Sequence, residues 1–268
     1  MDSSIQKQNV PEYEVFAIKY AELKARPASD TIIGADPHDA PFDMAYYVWL
    51  IRSRATVFVV DTGFSKAAAE RRGRHFLRSP ADGLKVLQVD PAAVTNVIVT
   101  HLHYDHIGNA ALFPNALFHV QDKEAAFATG RYMRHRFFRD MYEVEDVVGF
   151  VRDVYANRVV FHEGDDEIAP GLTVHLSSGH TLGLQFVRVH TRQGWLVLAA
   201  DACHYTRLRT CDEVYPVVFD PGGLLENYRR LCQLASSDHL VIPGHDPLVM
   251  TDYPPAAAGL EDIAVRLD

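Results

Sequence analysis

The sequence predicts an α/β fold in a single domain, and three observations lead there. Short apolar, β-branched runs fall into two groups, one before about residue 120 and one after 161. Helical stretches lie between and around them, the pattern of a layered α/β domain. Neither an internal repeat nor a low-complexity linker divides the 268 residues, and 48% hydrophobic against 23% charged content suits one large core.

Residues 1–11 are polar, end in Pro11 and are expected to be a loose arm. Tyr13 to Tyr20 is rich in aromatic and β-branched residues and predicts a strand. Residues 25–43 hold Pro27, Gly34, Pro37 and Pro41 and predict a long loop, with Asp36-Pro37-His38-Asp39 a turn rather than a ligand cluster. Tyr46–Ile51 and Thr56–Val60 predict a hairpin across Arg52-Ser53-Arg54-Ala55. A helix follows from about Ser65, and Arg71, Arg72 and Arg74 are assigned to its solvated face. Val97-Ile98-Val99 is a buried strand, and Gly108 and Asn109 suit a tight turn into a helix beyond it. Ala116–Val120 is another strand. Residues 122–160 are mostly helical, with Tyr132, Arg134, His135, Arg136, Phe137, Phe138 and Arg139 mixing aromatic and basic character. They are expected either as a helical lid or insertion over a pocket, or as an amphipathic pair packed on the sheet. Leu172–Leu176, Gln185–Val189 and Trp195–Ala200 are short strands, introduced by the Pro170-Gly171 turn. Asp220 to about Ala235 is a helix with Asp220 as cap and Pro221 in first position. Leu240–Ile242 is the last buried strand.

The net charge of −9 disfavours a phosphate-backbone partner. Cys203, Cys211 and Cys232 are odd in number and have no close regular spacing, which argues against a disulfide framework or a thiolate metal site. The first nine residues lack an apolar core, so no signal peptide is expected, and no apolar run approaches the ~18 residues that span a bilayer. The expectation is a cytoplasmic protein with neither nucleic-acid nor membrane partners, acting on a small molecule, alone or as a homodimer.

Residues 100–109, Thr-His-Leu-His-Tyr-Asp-His-Ile-Gly-Asn, crowd His101, His103, Asp105 and His106 at the end of the Val97–Val99 strand. Three imidazoles and a carboxylate in six positions repay their crowding when cations sit among them. Three further residues also follow short apolar strands: His180, Asp201 and His245. Together they are five histidines and two aspartates without sulfur, enough for two divalent ions, with a carboxylate such as Asp201 able to bridge. Asp61, at the end of Thr56–Val60, either orients a metal-bound histidine or is a turn or capping carboxylate. His38, His75, His119, His135, His162, His175, His190 and His239 are assigned no role; His204 stands apart, three residues after Asp201. Tyr46, Trp49, Phe64, Met133, Phe137, Phe138 and Phe219 are candidates to line a pocket, though each fits a core equally well.

The set Thr100-His101-Leu102-His103-Tyr104-Asp105-His106, Gly179-His180, Asp201, Gly244-His245 and Asp61-Thr62-Gly63 resembles the metallo-β-lactamase superfamily over roughly residues 44–250. The resemblance implies a four-layer αβ/βα sandwich with a binuclear site at one edge. It implies one ion on His101, His103 and His180, a second on Asp105, His106 and His245, and Asp201 bridging, with Zn2+ the expected metal. The Asp-Pro-His-Asp loop, Asp61-Thr62-Gly63-Phe64, the decapeptide and Asp201-Ala202 are most similar to the N-acyl-homoserine lactonases, which quench quorum signals. Many of those carry a tyrosine three residues after the bridging aspartate, to assist the substrate carbonyl. Here His204 stands there and Tyr205 follows, so Tyr205, His204 or neither takes that part.

The expected reaction is hydrolytic opening of a lactone by a metal-bridging hydroxide, with Asp105 passing a proton to the leaving group. The alternative is the same attack on a thioester or lactam. Only 23 residues follow His245, too few for the helical glutathione-binding domain of glyoxalase-II-like thioesterases. A metal-bearing binding or sensor protein without turnover would carry the same ligands.

Overall fold

The structure, a computed structural model, describes residues 10–268, so all but Val10 and Pro11 of the expected arm lies outside the described residues. The strands are β1 (Glu14–Arg26), β2 (Phe42–Arg52), β3 (Val57–Val60), β4 (His75–Phe76), β5 (Asn96–Ile98), β6 (Leu117–Gln121), β7 (Val159–His162), β8 (Asp166–Ala169), β9 (Leu172–Leu176), β10 (Gln185–Thr191), β11 (Gly194–Ala200), β12 (Val241–Pro243) and β13 (Ala264–Arg266). The helices are α1 (Lys66–Arg72), α2 (Pro80–Val86), α3 (Tyr104–Ile107), α4 (Asp122–Ala128), α5 (Arg136–Arg139), α6 (Val144–Tyr155), α7 (Thr206–Thr210), α8 (Pro221–Leu234) and α9 (Val249–Asp252).

Two sheets carry the fold. One runs β13-β1-β2-β3-β5-β6-β7 with β4 on β1; the other runs β12-β11-β10-β9-β8. Alternation along β2 shows how they stack. Ala45, Tyr47, Trp49 and Ile51 share a core with Val174, Val187, Leu196 and Leu198 of the second sheet. Met44, Tyr46, Val48 and Leu50 point the other way, into a core that includes Leu84 of α2, Phe127 of α4 and Phe150 of α6. Leu224, Tyr228 and Leu231 of α8 cover the outer side of the second sheet with Phe186 and Val197. The result is the four-layer αβ/βα sandwich. Each fully buried large apolar side chain in it contributes about 1.5–3 kcal/mol.

Several expectations change. β1 continues past Tyr20, with Glu22 and Leu23 held by pairing with Ala45 and Met44 of β2, and runs on to Arg26 opposite Phe42, so the long loop shrinks at both ends. The hairpin of β2 and β3 forms as expected. The metal loop enters its helix earlier than predicted: α3 spans Tyr104–Ile107 and ends at Gly108. Residues 122–160 are helical in separate pieces, α4, a 3-10 turn at Arg131–Arg134, α5 and α6. Asp220 precedes α8 and Pro221 opens it, but the Asp220 carboxylate makes no capping hydrogen bond. Among the described residues no helix is long and apolar enough to cross a membrane.

Candidate metal centre

The donor residues meet where strands of both sheets end. His101, His103, Asp105 and His106 follow β5, His180 follows β9, Asp201 follows β11 and His245 follows β12. Asp61 and Ala200 close their strands in the left-handed region, at φ 62° and 45°. For residues with a Cβ that conformation costs on the order of 1 kcal/mol, and it turns Asp61 and the adjoining Asp201 off their strand directions. A Cβ on Gly244 would stand 2.5 Å from the Ala200 carbonyl oxygen, so glycine is what lets the ends of β11 and β12 close up and bring Asp201 beside His245.

Asp201 is the hub. Its Oδ1 lies 3.0 Å from His245 Nε2 and 3.3 Å from His106 Nε2. Its Oδ2 lies 3.0 Å from His204 Nε2, 3.2 Å from His180 Nε2 and 3.8 Å from His101 Nε2. His180 Nε2 is 3.0 Å from His103 Nδ1, and Asp105 Oδ2 stands 3.8 Å from His106 Nε2 and 3.9 Å from His245 Nε2. Donor atoms of His101, His103, His180 and Asp201 all lie within 4.8 Å of one another, as do those of Asp105, His106 and His245, and those of Asp201, His204 and His245.

The far side of four of the rings is anchored. His106 Nδ1 is 2.7 Å from Asp61 Oδ2, His180 Nδ1 is 2.7 Å from the Val217 carbonyl, and His245 Nδ1 is 2.8 Å from the Ala45 carbonyl. His101 Nδ1 meets the Thr100 hydroxyl at 3.1 Å, and that hydroxyl donates to Asp61 at 2.9 Å. With the Nδ1–H of these four rings donated away, their Nε2 lone pairs face inward, while His103 turns its Nδ1 toward His180 Nε2, the arrangement expected around a metal. Asp61 therefore orients His106 and is no helix cap.

Burial pushes His101 and His103 well below the ordinary imidazole value, and His180 down to about 3. These rings are neutral and free to ligate. Burial also acts on His106 and His245, but the carboxylates of Asp201, Asp61 and Asp105 carry His106 above its usual value, and those of Asp201 and Asp105 carry His245. Asp201 is itself held well down by the imidazoles despite its burial. His101 Nε2, His106 Nε2 and Asp201 Oδ1 are buried without a hydrogen-bond partner. Unpaired buried nitrogen and oxygen donors around one point fit divalent cations, since leaving them unmet costs about 1–3 kcal/mol each.

A cavity of about 60 Å³ opens over this cluster, lined among others by Tyr46, His103, Asp105, His180, Asp201, His204, Tyr215 and His245. His204 is 2% exposed, and its ring stacks on Tyr215 at 3.6 Å between centroids. Tyr205 is not among the lining residues; its ring packs edge-on to Phe42, and its buried hydroxyl has no partner. Of the apolar pocket candidates only Tyr46 lines the cavity. Trp49 fills the core between the sheets, Phe64 packs beneath Tyr46 and Tyr104, and Phe138 and Phe219 pack with Phe127. Met133 lines a separate hollow with Tyr142 and Val144, and Phe137 is exposed. The helical segment reaches the centre through Met141, at the cavity, and Tyr142, edge-on to His103 at 4.6 Å.

Sequence reasoning missed several contributors. Glu124 is fully buried and accepts from Leu102 N (3.0 Å), Tyr142 Oη (3.0 Å) and Thr181 Oγ1 (2.6 Å), tying the loops that carry His101, His103 and His180 to α4. A Cβ on Gly183 would stand 1.9 Å from Glu124 N, so glycine permits that docking. Tyr215 and Arg26 also line the cavity and carry no sequence signal. Arg74 lines it too, and Arg72 pairs with Glu143 at 2.9 Å and stacks over Tyr104 at 3.9 Å, so neither belongs to a solvated helix face. Gly73, which closes α1 in a left-handed conformation, was the available signal that Arg74 leaves that face.

Residues 43–245 match the model of the metallo-beta-lactamase superfamily. The N-acyl homoserine lactonase of Bacillus thuringiensis is 26% identical over 222 residues, covering 76% of this chain and 82% of that one. The N-acyl homoserine lactonase AttM of Azorhizobium caulinodans is 31% identical over 176 residues, covering 61% and 62%. Among solved structures, an N-acyl homoserine lactone hydrolase with N-hexanoyl-L-homoserine at its catalytic metal centre aligns with TM-score 0.73 at 21% identity, over 91% of this chain and 97% of that one. AidC, a dizinc quorum-quenching lactonase, aligns with TM-score 0.69 at 17% identity, over 89% of each.

Proposed function

This chain belongs to the metallo-β-lactamase superfamily, and on that premise we propose that it is a metal-dependent hydrolase that opens the ring of N-acyl homoserine lactones or closely related small lactones. The observation that carries the reading is the Asp201 carboxylate ringed by His106, His180, His204 and His245, with the inward Nε2 atoms of His101 and His106 unmet. The relatives are lactonases, which favours a lactone over a thioester or lactam.

His101, His103 and His180 would hold one divalent ion and Asp105, His106 and His245 a second, with Asp201 between them. The nitrogen and oxygen donors and the dizinc neighbour favour zinc. When bound, the ions supply Lewis acidity and make a nucleophile available from water near neutral pH. The chain does the rest. Asp61, Val217 and Ala45 fix the rings of His106, His180 and His245. His204, rather than Tyr205, lines the cavity, and its Nε2, 3.0 Å from Asp201 Oδ2, would turn its N–H to the substrate carbonyl oxygen as negative charge develops there once Asp201 is engaged by the metals. Asp105, at the cavity wall, holds and returns the proton needed by the leaving alkoxide. The protein is proposed to work in the cytoplasm, where its unpaired Cys203, Cys211 and Cys232 remain reduced.

The test is ring opening of N-hexanoyl homoserine lactone by metal-loaded protein, followed by proton release. We expect turnover that a chelator abolishes and added zinc restores. His204→Gln should cost about 10²-fold in kcat, the scale of one lost oxyanion donor, while Tyr205→Phe stays within about twofold. Absence of turnover on short- and long-chain lactones with two metal equivalents bound would reject the proposal.

A further inference from the structure

Two arginines reach the cavity, and neither is paired with a carboxylate. Arg26 and Arg74 both line it, and among the described residues neither forms a salt bridge. Their absence from ion pairing stands out in a chain with 35 acidic residues against 26 basic. Arg74 is partly buried and its position is fixed. Its Nε donates to Tyr104 Oη at 3.2 Å and its Nη1 to the Arg72 carbonyl at 2.9 Å. Its Nη2 makes no hydrogen bond among the described residues, so the outer edge of the guanidinium is left for a ligand. Arg74 lines the same cavity as His103, Asp105 and Asp201, so this edge stands beside the candidate centre. Arg26 stands over the ring of Tyr215 at 5.2 Å, and Tyr215 stacks on His204, which places the second cation by the carbonyl-facing wall. Arg26 spends Nε and Nη2 on the neutral Asp30 carbonyl, which leaves its charge uncompensated.

A part-buried guanidinium that forms no salt bridge and keeps free N–H donors at a small cavity favours an anion there. A planar guanidinium edge matches a carboxylate with two parallel hydrogen bonds. We propose that Arg74, supported by Arg26, selects lactones that carry a carboxylate on the acyl side, so the preferred substrate is an anionic acyl lactone rather than one with a plain alkyl chain. This rests on the lactonase reading above and narrows it.

The experiment compares two lactones of equal size, N-succinyl homoserine lactone and the analogue whose terminal carboxylate is a primary amide, with N-hexanoyl homoserine lactone as reference. The metal-loaded wild type should prefer the carboxylate over the amide by about tenfold or more in kcat/KM, expressed in KM, the scale of one charge-assisted pair. Arg74→Met should reduce that ratio to about unity, Arg74→Lys should restore part of it, and Arg26→Met should reduce it less. Thermal melting of each variant separates loss of selectivity from loss of fold. A wild type that does not distinguish acid from amide, or an Arg74→Met that loses both equally with the ratio kept, overturns the proposal. If N-hexanoyl homoserine lactone is opened in those cases, only the selectivity claim falls. If none of the three is opened, the lactonase reading falls with it.

Discussion

Two histidine groups occupy neighbouring parts of the molecule and have opposite characters. In the middle of β6 and at the end of β7, His119 Nδ1 lies 3.0 Å from His162 Nε2, His119 Nε2 lies 3.2 Å from Asn96 Oδ1, and His162 Nδ1 lies 2.8 Å from Asp166 Oδ2. Every ring nitrogen there has a partner. At the ends of β5 and β11, carboxylates and imidazoles crowd just as closely, yet His101 Nε2, His106 Nε2 and Asp201 Oδ1 have none. Both groups are buried beside acidic residues. The unmet inward donors, not the number of histidines, separate a cation site from a hydrogen-bonded chain.

The largest break in that comparison comes from Asp201→Asn. The amide offers one oxygen and no charge where four imidazole nitrogens converge within 3.3 Å. Ring-opening kcat/KM should fall by more than about 10²-fold, beyond what loss of a supporting group costs, and elemental analysis should find less than two metal equivalents. Retention of both values would mean the hub is misassigned.

A sharper contrast pairs two similar contacts. Asp61 meets His106 at 2.7 Å and Asp166 meets His162 at 2.8 Å. Asp61→Asn should weaken metal affinity by roughly 10–100-fold, measured by competition with a chromogenic chelator, whereas Asp166→Asn should leave it unchanged. Equal effects would erase the distinction between the two groups.

The smallest effect concerns pH. Burial, helped by His162, pushes His119 down to about 4, whereas the free imidazole titrates near 6.5. Between those values the unfolded chain binds a proton at His119 that the folded chain refuses. The resulting penalty is absent above about pH 6.5, where both states are neutral, and grows to its full size as the pH falls to about 4. His119→Gln should therefore flatten the acid-side loss of stability by up to about 3 kcal/mol in urea unfolding at pH 7.5 and 4.5, with metal content held fixed. An unchanged slope would show that His119 is not held neutral.

His119 and His162 were treated from sequence as residues without partners, because nothing in the chain links positions 43 residues apart; β6 and β7 pairing does. Arg74 was assigned to a helix face for a similar reason, since spacing says nothing about a neighbour such as Tyr104. Glu124 carries no motif at all, and its importance comes from three donors on three separate segments.

By itself the sequence indicated the layered α/β architecture and picked out seven residues as candidate donors. Both are local facts: apolar periodicity sets the strands, and dense or strand-terminal His and Asp residues announce themselves without a partner. Only the tertiary structure decided which ring nitrogen faces inward, that His204 and not Tyr205 borders the cavity, and that Arg26 and Arg74 approach it. Those outcomes depend on where distant strand ends stop relative to one another. That is governed by sheet register and by close backbone contacts such as Gly244 against Ala200, which no single stretch of chain encodes.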